Sequence, residues 1–164
     1  MDIPRWKMSA SLGYALLAGN LYYDNTGIIR QNTTAMSVMA ASLRKEFVLG
    51  PVHLDNKVLF QLSSNQSVVP VPMLSLNLRY YAQFVVARDR ATKTWNVMVM
   101  QIGANAFYNT QWNAPAWNPN IGVFYNQNSA WLGATPYIDV FVNMQWKRAC
   151  IFLKLENVNN GWPL

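Results

Sequence analysis

Residues 137–155 read YIDVFVNMQWKRACIFLKL. Ile138, Val140, Val142, Met144 and Trp146 alternate there with Tyr137, Asp139, Phe141, Asn143 and Gln145. Successive side chains of a strand point to opposite faces, so this spacing predicts a strand with one apolar and one polar surface. With Lys147 and Arg148 as a two-residue turn, Trp146 stands opposite Ala149, Met144 opposite Ile151, Val142 opposite Leu153 and Val140 opposite Leu155. Every pair is apolar with apolar, so turn and alternation specify one hairpin register.

The same period runs outward through the chain. Between 74 and 88, Leu74, Leu76, Leu78, Tyr80, Ala82, Phe84 and Val86 oppose Ser75, Asn77, Arg79, Tyr81, Gln83 and Val85. Near the start, Trp6, Met8, Ala10, Leu12, Tyr14 and Leu16 oppose Arg5, Lys7, Ser9, Ser11 and Gly13. Seven strands are expected, at about 5–20, 34–49, 52–62, 73–88, 93–108, 137–146 and 149–158. Several exceed the usual globular length of about five or six residues and suit the roughly 9–11 tilted residues that cross a bilayer. Gly50 and Pro51 fit a type II′ turn that sets Leu49 against Val52, Phe47 against Leu54, Leu43 against Val58 and Ala41 against Phe60. The loop at Asp89–Thr92 needs an odd length to keep the apolar faces together.

Connections alternate in length. Short ones fall at 50–51, 89–92 and 147–148, long ones at about 21–33, 63–72 and 109–136. Outer-membrane barrels sort their loops this way, with short periplasmic turns and long extracellular loops. The expected architecture is an all-β, antiparallel transmembrane β-barrel segment, a partial barrel of about seven up-and-down strands.

Composition agrees. The 164 residues are 52% hydrophobic but only 12% charged, about half the roughly 25% of globular domains. No window of about 18 residues is continuously apolar, which excludes a transmembrane helix. On the apolar face, Trp6, Phe47, Phe84 and Trp146 lie near the short-turn end, and Phe60 and Tyr108 near the long-loop end. They read as two aromatic girdles, although aromatic residues also end strands in many sheets. Two places break the pattern. Lys45 falls on the apolar face, where it either snorkels or marks a bulge. Trp95, Val97 and Val99 place an apolar patch on the polar face, for another part of the barrel to cover.

The runs LYYDNTGIIRQNT (21–33), FQLSSNQSVVPVPMLSLNLRYYAQF (60–84) and, above all, TPYIDVFVNMQWKRACIFLKLENVN (135–159) resemble the putative porins of Bacteroidota outer membranes. The likeness covers nearly the whole chain and matches the C-terminal part of such a barrel. It implies an outer-membrane barrel with a channel function and carries over no catalytic residues. MDIPRWKMS has no apolar signal region, and the usual closing strand with a terminal aromatic residue is missing. Residues 1–164 are therefore expected to be a single barrel segment lacking the N-terminal part and the closing strand.

Enzyme chemistry finds little support. His53, the only histidine, sits beside the Gly50–Pro51 turn and reads as a surface residue; no nucleophile motif accompanies it. Cys150 excludes an internal disulfide and any multi-cysteine zinc site, and reads as a packed or lumen-facing thiol. Asp139 and Glu156 meet across the last hairpin, where they could do acid–base work, bind a cation or pair with Lys154. No catalytic, cofactor or metal site is expected.

The net charge is +6. Ten of the 13 basic residues cluster at the short-turn end: Arg5, Lys7, Arg44, Lys45, Lys57, Arg88, Arg90, Lys93, Lys147 and Arg148. They form a rim, which suits anionic headgroups better than nucleic acid, whose binding calls for basic and stacking residues interleaved on one face. The pore-lining candidates are Arg5, Lys7, Arg44, Glu46, Asp55, Lys57, Arg79, Gln83, Gln101, Asn105, Asp139, Asn143, Lys154 and Glu156. With Lys93, their basic members outnumber the acidic ones, a mild bias toward anions. The expected partners are the outer-membrane bilayer and small solutes or ions passing by diffusion. Two other classes stay open: a non-transport barrel serving as an anchor or complex component, and a soluble all-β binding module.

Overall fold

The computed structural model describes residues 1–87 and 98–160. Their strands are β1 (Asp2–Ile3), β2 (Met8–Leu17), β3 (Leu21–Tyr23), β4 (Ile29–Gln31), β5 (Met36–Leu49), β6 (Val52–Ser63), β7 (Leu74–Ala87), β8 (Met98–Asn109), β9 (Ala116–Asn118), β10 (Val123–Tyr125), β11 (Tyr137–Trp146) and β12 (Ala149–Leu155). Eight build one antiparallel sheet in the order β1-β2-β5-β6-β7-β8-β11-β12. The seven long strands are those expected, each beside its sequence neighbour. Among the described residues the sheet is open, with β1 and β12 at its edges.

Both described two-residue hairpins take the expected register. Trp146 meets Ala149, Met144 meets Ile151 and Val140 meets Leu155. Leu49 meets Val52, Phe47 meets Leu54 and Ala41 meets Phe60. Gly50 takes a φ of 60°, and Pro51 cannot follow it into the left-handed region, which is the type II′ pattern. Between β7 and β8, Leu78 faces Ala106 and Tyr80 faces Ala104, so the apolar faces stay together, and a bulge lies between Val85 and Ala87. The 89–92 turn, residues 93–97 of the expected strand, and Arg88, Arg90, Lys93, Trp95 and Val97 lie outside the described residues.

Three strand ends differ from expectation by more than two residues, β2 among them at both ends, since it also stops at Leu17 rather than 20. β2 starts at Met8 because Pro4–Trp6 form a 3-10 turn capped by Lys7 at φ 48°. Proline fixes its own φ and has no N–H to give a ladder. The chain before it folds back, pairing Asp2 with Ser9 and Ile3 with Met8. At the other end β12 stops at Leu155 rather than 158. Asn157 turns to φ 53° and gives its N–H to Asp139 Oδ1 at 2.9 Å, leaving the ladder.

The sheet has almost no core. Met36, Val68 and Phe141 are the buried hydrophobic residues among those described. Leu12 is 76% exposed, Leu153 65% and Phe47 50%, all on the apolar face. A water-soluble sandwich would bury that face under a second sheet; among the described residues the other sheets are two-stranded hairpins. Lys45 shares the face, with Met8 and Asn56 as cross-strand partners and no break in register. Its ammonium reaches back to the Trp6 carbonyl and lies 5.3 Å from the Phe47 ring centre. Snorkelling, not a bulge, accommodates this charge.

The long connections gather at one end and have structure of their own. β3 pairs with β4, and β9 with β10. Asn126 N–H donates to Tyr23 O at 2.8 Å, and its amide donates to Ser67 O at 2.7 Å and Val68 O at 2.8 Å, joining three loops.

Candidate functional site on the polar face

Because the registers keep odd residues of β6–β11 together, the polar side chains form rows across strands. Asp55, Arg79, Asn105 and Asp139 stand in one row. The next row toward the short turns holds His53, Tyr81, Gly103, Phe141 and Lys154. Beyond it lie Gln83, Gln101 and Asn143, linked side chain to side chain at 2.8 and 3.0 Å. At the long-loop side, Lys57, Asn77, Phe107 and Tyr137 complete the set.

Most charges on this face are neutralised locally. Arg44 grips Asp55 with Nε and Nη2 at 2.9 and 2.6 Å. Lys7 reaches Glu46 at 3.2 Å although it lies on the turn before β2. Lys154 holds both Asp139 and Glu156 at 2.9 Å, so the two carboxylates of the last hairpin are bridged by an ammonium. Arg79 and Lys57 make no ion pair among the described residues. The Arg79 guanidinium instead lies 5.0 Å from the Phe141 ring centre and 5.4 Å from that of Tyr81. Such contacts contribute about 0.5–1 kcal/mol each at exposed sites and leave the charge uncompensated.

The aromatic support for Arg79 depends on Gly103. A Cβ there would come within 2.4 Å of Tyr80 O, 2.5 Å of Tyr81 Cβ and 2.8 Å of Phe141 Cζ. The missing side chain leaves room for the tip of the Phe141 ring over Gly103, and Phe141 is only 3% exposed. In the same row His53 stacks on Tyr81, ring centres 4.7 Å apart and planes 4° from parallel, and its Nδ1 lies 2.7 Å from Glu46 Oε1. His53 is thus a half-buried member of this wall, not the turn-side surface residue expected. Its odd number placed it on the polar face; the stacking partner could be found only through the β6–β7 register.

The other candidates are distributed as follows. Arg44, Glu46, Asp55, Lys57, Arg79, Gln83, Gln101, Asn105, Asp139, Asn143 and Lys154 share the polar side, and Lys7 and Glu156, just outside their strands, join it through ion pairs with Glu46 and Lys154. Arg5 does not join a strand; it sits in the 3-10 turn with Trp6, so neither continues the alternation of β2. Phe47, Phe60, Phe84, Tyr108 and Trp146 lie on the apolar face. Cys150 stands opposite Gln145 and is exposed. Val99, also on the polar face, borders an open cavity of about 400 Å³ with Gln83, Gln101, Asn143 and Phe152, and among the described residues none from the long loops lines it. Among the described residues no cluster of three metal-ligating side chains occurs.

A family profile described as "Putative porin" matches residues 1–163. No curated protein and no solved structure matches the chain.

Proposed function

Since the chain belongs to the putative porin family, we propose that its polar face lines an outer-membrane channel through which small solutes and ions diffuse passively. The observation that carries this reading is the two-faced sheet: one broad apolar surface left exposed, and one polar surface cross-linked by ion pairs and amides. Lipid suits the first and water the second. Phe47, Phe84 and Trp146 then lie at one membrane interface and Phe60 and Tyr108 at the other. No catalysis is invoked.

The channel favours anions mildly. The acids Glu46, Asp55 and Asp139 each have a basic partner, whereas Arg79 stands mid-strand without one among the described residues. It borders a cavity of about 410 Å³ with Asn77, Asn105, Phe107, Tyr137 and Asp139, whose carboxylate Lys154 already holds. Fixed positive charge there raises local anion concentration and repels cations.

The test is a salt-gradient measurement on the full-length protein in planar bilayers. Arg79→Glu should move the reversal potential toward cations while conductance changes less. Lys147→Glu, on a turn at the sheet's end, should do little. An unchanged reversal potential in Arg79→Glu removes Arg79 from the permeation path.

A further inference from the structure

We propose that the long-loop end carries a binding groove for a neutral oligosaccharide. A cleft of about 320 Å³ opens where the three long connections meet. Tyr22 and Asn25 enter it from the first, Gln66 from the second, and Asn113 and Asn128 from the third. A second cleft of about 220 Å³ shares Gln66, Pro70 and Asn113 with it and adds Trp112 and Trp131. Adjoining at these shared residues, they give the proposed groove an amide-lined part and a part lined by the two indoles with Val71 and Met73. Their volumes suit a ligand of more than one sugar unit.

The groove is built before any ligand arrives. Asn126 ties its three walls together through Tyr23, Ser67 and Val68. Gln127, only 8% exposed, donates to the Ala114 and Ala130 carbonyls at 2.8 Å and accepts from the Ser129 and Ala130 amides at 2.8 Å. Trp112 and Leu132 exchange two backbone hydrogen bonds of 2.9 Å, which fixes the strip carrying Trp131. A preorganised site loses little entropy on binding.

The free groups define the ligand. The Tyr22 hydroxyl and the Asn25 and Asn128 amides make no side-chain hydrogen bond among the described residues; Asn113 Oδ1 is unpartnered too but occluded, which leaves Asn113 its NH2 group for a ligand. A carboxamide presents an acceptor beside two donors, the complement of neighbouring hydroxyls that each donate and accept. An apolar ligand would leave these amides unpaired, at about 1–3 kcal/mol for each one buried. An ion finds no free charge: the carboxylate in the groove, Asp24, is already held by Arg30 at 2.8 Å and by Thr26. Trp131 is 63% exposed and offers a flat surface for the C–H face of a sugar ring. A peptide would instead seek a strand edge or apolar side-chain pockets, and the amide-lined half offers neither.

The inference goes beyond conduction and stands whether or not the wall forms a pore. The experiment uses the full-length protein in a zwitterionic detergent, since alkyl-glycoside detergents would compete. Calorimetry and tryptophan fluorescence are followed with maltotetraose, cellotetraose, mannotetraose and chitotetraose, then with tetragalacturonate and a neutral tetrapeptide. At least one neutral tetrasaccharide should bind and change the fluorescence. Asn113→Ala and Trp131→Ala should each weaken binding at least tenfold, with Lys147→Glu unchanged. Trp131→Phe, which keeps an aromatic face and the loop packing, should bind within about threefold of the wild type. Binding by none of the four sugars overturns the proposal, as does binding only by tetragalacturonate or the peptide. Sugar binding indifferent to both alanine variants, or equally lost in Trp131→Phe and Trp131→Ala, overturns it too.

Discussion

In the sheet, a side chain's face follows from whether its number is odd or even within its strand. In the loop cluster, position follows from single amides such as Gln127 and Asn126, each bonded to backbone groups distant or turned back on themselves. The sheet therefore has many interchangeable contacts, and removing one shifts little. The loop cluster concentrates its order in a few residues. The wall resists substitution except where the backbone itself is approached, while the loops are sensitive at particular polar side chains.

The approach at Gly103 is the wall's exception and gives the largest expected effect. Gly103→Val places its Cβ against Tyr80 O and Tyr81 Cβ, neither of which can yield without moving a strand, and against the tip of the Phe141 ring. Overpacking of this kind costs about 1–3 kcal/mol and more against backbone. Assembled, heat-modifiable protein should fall sharply in electrophoresis after refolding into detergent. Normal assembly would show that β7 and β8 are not held as closely as the register requires.

Gln127→Ala tests the other side of the comparison. It strips partners from the Ala114 and Ala130 carbonyls and from the Ser129 and Ala130 amides. Any of these groups left without water or another partner costs about 1–3 kcal/mol. Amide exchange in 110–136 should accelerate at least tenfold while the urea midpoint of the sheet stays put. A matching fall in both would mean that loops and wall unfold as one unit.

A smaller effect is expected at the β3–β4 hairpin. Asp24 accepts from Thr26 Oγ1 at 2.5 Å and Arg30 Nε at 2.8 Å, and from the Thr26 and Ile28 amides. These donors, Thr26 and Arg30 foremost, hold its carboxyl well below the ordinary value of 3.8. A depressed folded value means that the stabilisation is complete above the unfolded value. It is lost as pH falls below 3.8 toward the folded value. Protease cleavage within 21–31 should stay constant from pH 7 to about pH 5 and increase only in stronger acid. Asp24→Asn should raise cleavage at neutral pH and flatten that dependence.

The smallest effect belongs to a turn. Lys147 holds φ at 53° with a side chain that disfavours it. Lys147→Gly should stabilise the last hairpin by about 1 kcal/mol, seen as a slower unfolding rate. A destabilised hairpin would assign the lysine side chain a role beyond the turn.

The strands, their register and the polar face were legible because period two is a local property. Ile138 to Trp146 carry it without reference to any other part of the chain, and a two-residue turn transmits it to Ala149–Leu155. The same logic placed Arg79, Asp139 and Lys154 on one side. It failed at Arg5 and Trp6, whose alternation Pro4 interrupts by taking the backbone into a 3-10 turn.

What only the tertiary structure decided is which neighbours meet. Sequence places His53, Tyr81, Gly103 and Phe141 on the polar face, but their row exists only once β6, β7, β8 and β11 lie side by side. Pairing also decides that Arg44 takes Asp55 while Arg79 is left to aromatic rings. The loop groove is further still from the sequence, since Tyr22, Gln66 and Asn113 come from three connections with no repeating pattern. Face is dictated by backbone geometry residue by residue, whereas partnership and cleft shape depend on long-range closure, which no local period encodes.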